Sequence, residues 1–176
     1  MTVDNFAKAV GAFERTLVTP SRFDSYLKGD PTALKEKEKR ELKIYMDADC
    51  ATCHSGPYVG GQMYQKFGFL EPYWKFTKSD PIDEGRYAVT KNEADKYVFK
   101  VPIHRNIEKT APYFHDGSVD KLEEAVRIMG KVQLNRDLTK DQVEQIVTFL
   151  KSLTGVIPKE ALEIPLLPST PSSTDN

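Results

Sequence analysis

Apolar side chains recur at helical spacing in four stretches, and those stretches predict the skeleton of the fold. Over residues 3–18, Phe6, Ala9, Val10, Phe13 and Leu17 make an amphipathic stripe, with Asp4 as its N-cap and Pro20 as its stop. From Pro31 to Met46, Lys and Glu alternate around Leu34, Leu42, Ile44, Tyr45 and Met46, the pattern of an exposed helix with one apolar stripe and a solvated charged face. A third helix carries Leu122, Ala125, Val126 and Met129, opened by an Asp120/Glu123 capping box and closed at Gly130. The last opens on a second capping box, Thr139 with Gln142, buries Val143, Ile146, Val147, Leu150 and Leu153, and closes at Gly155.

The remaining pattern is irregular. Ser21 to Leu27 reads as a turn with an aromatic anchor, and residues 55–100 as a long loop in which glycines and prolines alternate with Tyr58, Tyr64, Phe67, Phe69, Tyr73, Trp74 and Phe76. A loop of that length is usually functional, and its aromatics offer apolar area to cover a flat ligand. Trp74 is read as a packing residue rather than an electron relay. Val98 to Asn106 reads as extended, and Thr110 to Gly117 as turn chemistry. Residues 1–165 are expected to form one domain, with 166–176 a flexible Pro/Ser/Thr-rich tail. There is no internal repeat.

Composition narrows the function classes. A formal net charge of -1 over 176 residues leaves no basic footprint for nucleic acid, and no stretch has the apolar length of a membrane span. The two cysteines both fall in Cys50-Ala51-Thr52-Cys53-His54, which has the C-x-x-C-H spacing of covalent haem attachment. Two thiols so spaced reach the two vinyl groups of one porphyrin, and the following histidine becomes the proximal ligand of the iron. Zinc would need further ligands, yet His104 and His115 lie about ten residues apart where a finger has three to five between them. A redox dithiol opens a helix after a strand, whereas here a charged helix leads into Cys50 and a Gly/Pro-rich loop follows. One haem c, anchored by Cys50 and Cys53 and ligated by His54, is therefore expected. Covalent haem is attached outside the cytoplasm, so the expected compartment is a periplasm. The first residues lack the apolar core of a signal peptide, which predicts a mature form or an excised or recombinant domain.

The sixth ligand decides whether the iron can bind a substrate. Met63 is nine residues beyond His54 in a glycine-rich loop, Met46 precedes the motif, and Met1 is terminal. Met129 lies on a helix's apolar face beside Gly130, where methionine is commonly core filler. From the residues alone, Met129, His104, His115 and an open position all stay in play.

Three runs, residues 98–106, Thr110-Ala111-Pro112-Tyr113-Phe114-His115-Asp116-Gly117-Ser118 and Leu122 to Gly130, resemble the C-terminal half of bacterial di-haem cytochrome c peroxidases, the group that includes MauG-like enzymes. Residues 9–20 are similar to the segment before the second haem motif there, and 60–68 to the one after it. The resemblance implies an all-α, cytochrome c-like domain whose long loops wrap one high-potential haem, with Met129 as the distal ligand. It also implies a calcium ion held between domains in part by the carbonyls of Thr110 and Pro112. The family's first C-x-x-C-H, with its peroxidatic haem, is absent from this chain, and His104 stands where the family more often has an apolar residue.

The expected function is thus one-electron relay. A small donor protein, a cytochrome c or a cupredoxin, would supply electrons destined for a peroxidatic haem domain. That domain, or a second copy of the chain, would meet the surface around Thr110 to Gly117. The alternative is a self-sufficient peroxidase in which Met129 is displaced and His115 or a nearby carboxylate moves the proton. A third, a structural or sensing role, has the haem only staple the fold.

Overall fold

The structure, a computed structural model, describes residues 2–163; the tail expected at 166–176 lies outside them. It divides into two compact units, one made of the two ends of the chain up to Pro20 and from Val156, the other of Ser21–Gly155.

In the unit of the ends, helix α1 spans Val3–Glu14 and tightens into a 3-10 turn over Arg15–Leu17. Thr2, not Asp4, caps it, its hydroxyl accepting the Asn5 N–H at 3.2 Å. Asp4 instead pairs with Lys8 one turn on. The Val156 N–H donates to the Pro20 carbonyl, joining the two ends.

The larger unit begins with α2, Arg22–Leu27, where the sequence suggested only a turn. Six residues are too few for a periodicity to declare itself. The helix is made by its cap: the Asp24 carboxylate accepts the Ser21 N–H at 2.6 Å and the Ser21 hydroxyl at 2.8 Å. Helix α3 spans Glu36–Asp47, starting later than Pro31 because Asp30 to Leu34 are spent on a turn in which Asp30 takes the Thr32 N–H. Its charged face is not wholly solvated. Glu38 is buried and accepts both guanidinium nitrogens of Arg22 at 2.6 Å, and Glu41 is buried with its carboxyl held protonated to a higher pH by desolvation.

Beyond the C-x-x-C-H segment the long loop contains two short helices, α4 (Trp74–Thr77) and α5 (Tyr87–Thr90). Two three-residue strands, β1 (Tyr64–Lys66) and β2 (Val98–Lys100), pair antiparallel with Gln65 opposite Phe99. The architecture is therefore mostly helical with one small sheet, rather than purely all-α. The sheet is what closes the long loop.

Helix α6 runs over Leu122–Leu134 and α7 over Lys140–Lys151. The capping box of Thr139 with Gln142 forms as expected, whereas α6 starts after Lys121 with no side-chain cap. Nor does α6 end at Gly130. It continues a turn further and stops at Asn135, which adopts φ 49° in the left-handed region. Gly130 lies inside the helix, where a Cβ would come within 2.8 Å of Leu138, so its smallness serves close packing against the α6–α7 connection. Gly155 likewise sits past the end of α7, bridged to Ser21. The core gathers Tyr45 from α3, Leu122, Ala125, Ile128 and Val132 from α6, and Val143, Ile146, Val147, Phe149 and Leu150 from α7. Tyr73 of the long loop is also fully buried, against Phe67.

One ion pair clasps this unit across the chain. Asp24 accepts both Arg105 guanidinium nitrogens at 2.7 Å, and Arg105 also donates to the Pro57 carbonyl at 2.8 Å. Arg105, with the Ser21 contacts, holds the Asp24 carboxyl well below the usual carboxylate range. A depressed folded-state value means that the stabilisation is full above the unfolded pKa near ~4 and fades as pH falls towards the folded value. Asp24→Asn is expected to cost about 3 kcal/mol at neutral pH, the lower end for breaking a buried pair. Urea unfolding at pH 7 and pH 3 checks it: the deficit of the variant should shrink at the lower pH, and an equal deficit at both would refute the assignment.

Candidate haem-binding site

The attachment motif lies at the end of α3, where Asp49 turns the chain with φ 64° and Cys50–Thr52 form a 3-10 turn. The His54 N–H donates to the Cys50 carbonyl at 3.0 Å, so one tight turn presents both thiols and the imidazole together. Arg136, in the α6–α7 connection, secures that turn by binding the Asp47 carbonyl and the Asp49 carboxylate. Both cysteines are free and half-buried, and burial pushes the Cys50 thiol up to about 11. Among the described residues no group of three or more His, Cys, Asp or Glu side chains comes together to hold a metal ion directly.

His54 is 8% exposed, and burial pulls its imidazole down to about 4, so it is neutral at physiological pH as an iron ligand must be. Its Nδ1 lies 3.2 Å from the Pro102 carbonyl oxygen. A carbonyl can only accept, so the proton sits on Nδ1 and the lone pair of Nε2 is left for a metal. This is the arrangement a proximal histidine needs, and it is the observation that fits these residues to haem.

Pro102 reaches His54 through backbone pairing. The Gly61 N–H donates to the Val101 carbonyl at 3.0 Å, the Val101 N–H to the Met63 carbonyl at 2.9 Å, and the His104 N–H to the Val59 carbonyl at 3.0 Å. Those bonds extend the β1–β2 sheet to the histidine. Gly60 makes the approach feasible: with φ 122°, a Cβ there would fall 2.2 Å from the Pro102 oxygen and 3.2 Å from His54 Nδ1. Sequence reasoning saw Gly60 only as loop punctuation. On the same loops Tyr58, Met63 and Ile103 are exposed apolar side chains, a rim suited to a flat apolar cofactor.

His104 is brought to the site, but not as a distal ligand. Its ring stacks on His54 with centroids 3.8 Å apart and planes 19° from parallel. Trans ligands point their nitrogens at the iron from opposite sides, which two face-stacked imidazoles cannot do. Burial, and then the neighbouring His54, hold His104 neutral well below the usual histidine range. His115 joins a different cluster, stacked on Phe99 at 4.2 Å and edge-on to Tyr73 at 5.4 Å. Trp74 packs there too, 4.7 Å from Tyr97 and 5.3 Å from Tyr73.

Met129 is half-buried on α6, between the buried Ile128 and Gly130. Thr110 and Pro112 are exposed in the turn before Tyr113, whose N–H donates to the Val119 carbonyl. Asp116 in the same turn accepts the Ser79 hydroxyl and the Ser118 N–H.

No protein-family model matches the chain. It is 49% identical over 176 residues to a cytochrome c551 peroxidase of Nitrosomonas europaea and 48% identical to one of Pseudomonas aeruginosa, covering 99% of this chain and 50% of each relative. The cytochrome c peroxidase Ccp of Escherichia coli is 43% identical over 154 residues, 87% of this chain and 33% of that protein. The chain thus spans half or less of the length of these relatives. Among solved structures it is similar to a MauG-like protein associated with microbial copper homeostasis, with a TM-score of 0.64 and 28% identity over 79% of this chain and 53% of that one. The di-haem peroxidase BthA of Burkholderia thailandensis shares the fold at a TM-score of 0.55 and 18% identity, over 84% of this chain and 50% of its own.

Proposed function

Because this chain corresponds in sequence and fold to a domain of the di-haem cytochrome c peroxidase family, we propose that it is the high-potential half of such a protein, a one-electron relay. Cys50 and Cys53 hold one haem c through thioether bonds, His54 Nε2 ligates the iron, and Met129 completes the coordination. The haem, when bound, supplies reversible one-electron exchange between ferric and ferrous iron. The chain's own residues decide what kind of exchange. Pro102 fixes the His54 tautomer and burial keeps that ring neutral. The Met129 thioether, as a soft ligand to the same iron, would favour the ferrous state and so raise the potential.

The observation that supports this reading most is the His54–Pro102 contact, which puts the imidazole proton on Nδ1 and leaves the Nε2 lone pair available within the turn of Cys50 to His54. Electrons are proposed to arrive from a small cytochrome c or cupredoxin in the periplasm, by a brief encounter over a small patch near the haem edge. They leave towards a peroxidatic haem domain, docked at the turn of Thr110 to Gly117, where the carbonyls of Thr110 and Pro112 contribute to a shared calcium. Self-association would use the same turn. No helix among the described residues is long and apolar enough to cross a membrane.

Stopped-flow reduction and steady-state peroxide turnover, measured on one sample with a reduced small cytochrome, test the relay. Fast reduction without appreciable peroxide-dependent donor oxidation is expected. Rapid peroxide-dependent turnover by the His54/Met129 haem would replace the relay with a self-sufficient peroxidase in which Met129 is displaced and His115 or a nearby carboxylate moves the proton.

A further inference from the structure

We propose that His104 is a positioning residue that sets the plane of the His54 imidazole, an inference that rests on the reading of His54 as a haem ligand. An imidazole bound to iron through one nitrogen keeps a soft degree of freedom, rotation about the bond from that nitrogen to the metal. In this protein the rotation is restrained twice. The Pro102 carbonyl holds the Nδ1 edge at 3.2 Å, and the His104 ring lies flat against the face at 3.8 Å. Turning His54 about its bond would stretch the first contact and drive its edge into the second.

His104 can act as a wall because it is itself held. Its N–H is bound to the Val59 carbonyl, and its Nδ1 lies 3.2 Å from the Tyr45 hydroxyl. That hydroxyl also donates to the His54 carbonyl at 3.2 Å. Tyr45 has one proton to give, so with both contacts made His104 carries its proton on Nδ1 and donates it to the phenolic oxygen. Tyr45 in turn is 2% exposed, with its ring 4.9 Å from Phe149 of α7. The ligand plane is thereby referenced to the helical core through a chain of rings and two hydrogen bonds. An apolar side chain at this position could fill the volume, but a leucine has neither the flat face nor the donor. This is how a second layer of groups tunes a metal ligand without touching the metal.

The test uses the haem-loaded protein and reads low-temperature electron paramagnetic resonance of the ferric state together with a potentiometric titration. His104→Leu is expected to keep the covalent haem and the sixth-ligand absorption while shifting the g-values and raising the reduction potential, since a less polar wall disfavours the more highly charged ferric site. His104→Phe, which restores the flat face without the donor, should return the g-values most of the way to wild type. Tyr45→Phe, which removes only the hydroxyl, should move them in the direction of His104→Leu but by less, and it carries the test if His104→Leu fails to fold. Wild-type g-values and potential in His104→Leu, or in Tyr45→Phe where that variant stands in, overturn the proposal. Loss of the sixth-ligand absorption in His104→Leu overturns it differently, by making His104 a ligand. A wild-type protein without histidine-ligated covalent haem would defeat the underlying site reading, a failure visible before any variant is made.

Discussion

Replacing both anchors, Cys50→Ala with Cys53→Ala, is expected to give a protein that keeps no haem through acid–acetone extraction and has lost most of its helical circular dichroism. The single change Cys50→Ala should retain haem through one thioether, less tightly. The reasoning is linkage: a cofactor that binds only the native state stabilises it by its own binding free energy, and tethering makes its local concentration independent of dilution. Without the tether, only the axial bonds proposed for His54 and Met129 would hold the haem, and once it is lost the exposed rim of Tyr58, Met63 and Ile103 faces water. Far-UV circular dichroism of the extracted double variant decides the matter. A fully helical, cooperatively melting apo protein would mean that the core of α3, α6 and α7 stands without the cofactor.

The second large effect is expected from Met129→Ala. The oxidised wild-type protein should show a sulfur-to-iron charge-transfer band, and the variant should lack it. Its reduction potential should fall by on the order of 0.1 V, a fraction of the ~0.8 V over which axial ligands set haem potentials. The direction follows from softness, since removing a thioether withdraws preferential support for ferrous iron. An open iron position would also give peroxide somewhere to bind, so the variant should gain a turnover that is expected to be absent from the wild type. If the spectrum of Met129→Ala matched wild type while His115→Ala altered it, the distal ligand would have been misassigned.

How much of this could be read from the sequence varied with the range of the interactions involved. The C-x-x-C-H spacing of Cys50 to His54 and the stripes of α3, α6 and α7 are local patterns, and the stripes were legible as helices. Helix α2 was not, because six residues held by the Ser21–Asp24 cap carry no period. Gly130 was misread as a helix stop, since a glycine chosen for close packing and one chosen for a left-handed turn look alike until the neighbour, here Leu138, is known. The buried Glu38 was hidden within a run of alternating charge, its partner Arg22 being 16 residues away. The roles of Gly60 and Pro102 depend on a contact between positions 48 apart, His54 to Pro102. No window along the chain contains both ends of it. His104 stood out as one candidate for the sixth ligand and as a departure from the family pattern, and its stack on His54 needed coordinates.

The pairing of Gly61 and Met63 with Val101, continued by β1 and β2, has a topological consequence. It makes the stretch between Lys66 and Val98 an excursion whose two ends are pinned side by side, so the backbone that sets His54 is fixed at the pinch rather than at the excursion's outer end. Closing a longer loop costs only a slowly growing entropy, about 0.6 kcal/mol per doubling. The segment around Val89, which is 86% exposed within α5, is therefore where the chain can lengthen or shorten with least effect on the imidazole at the pinch. The setting of His54 and the outer contour of the loop can vary as separate modules on one continuous chain.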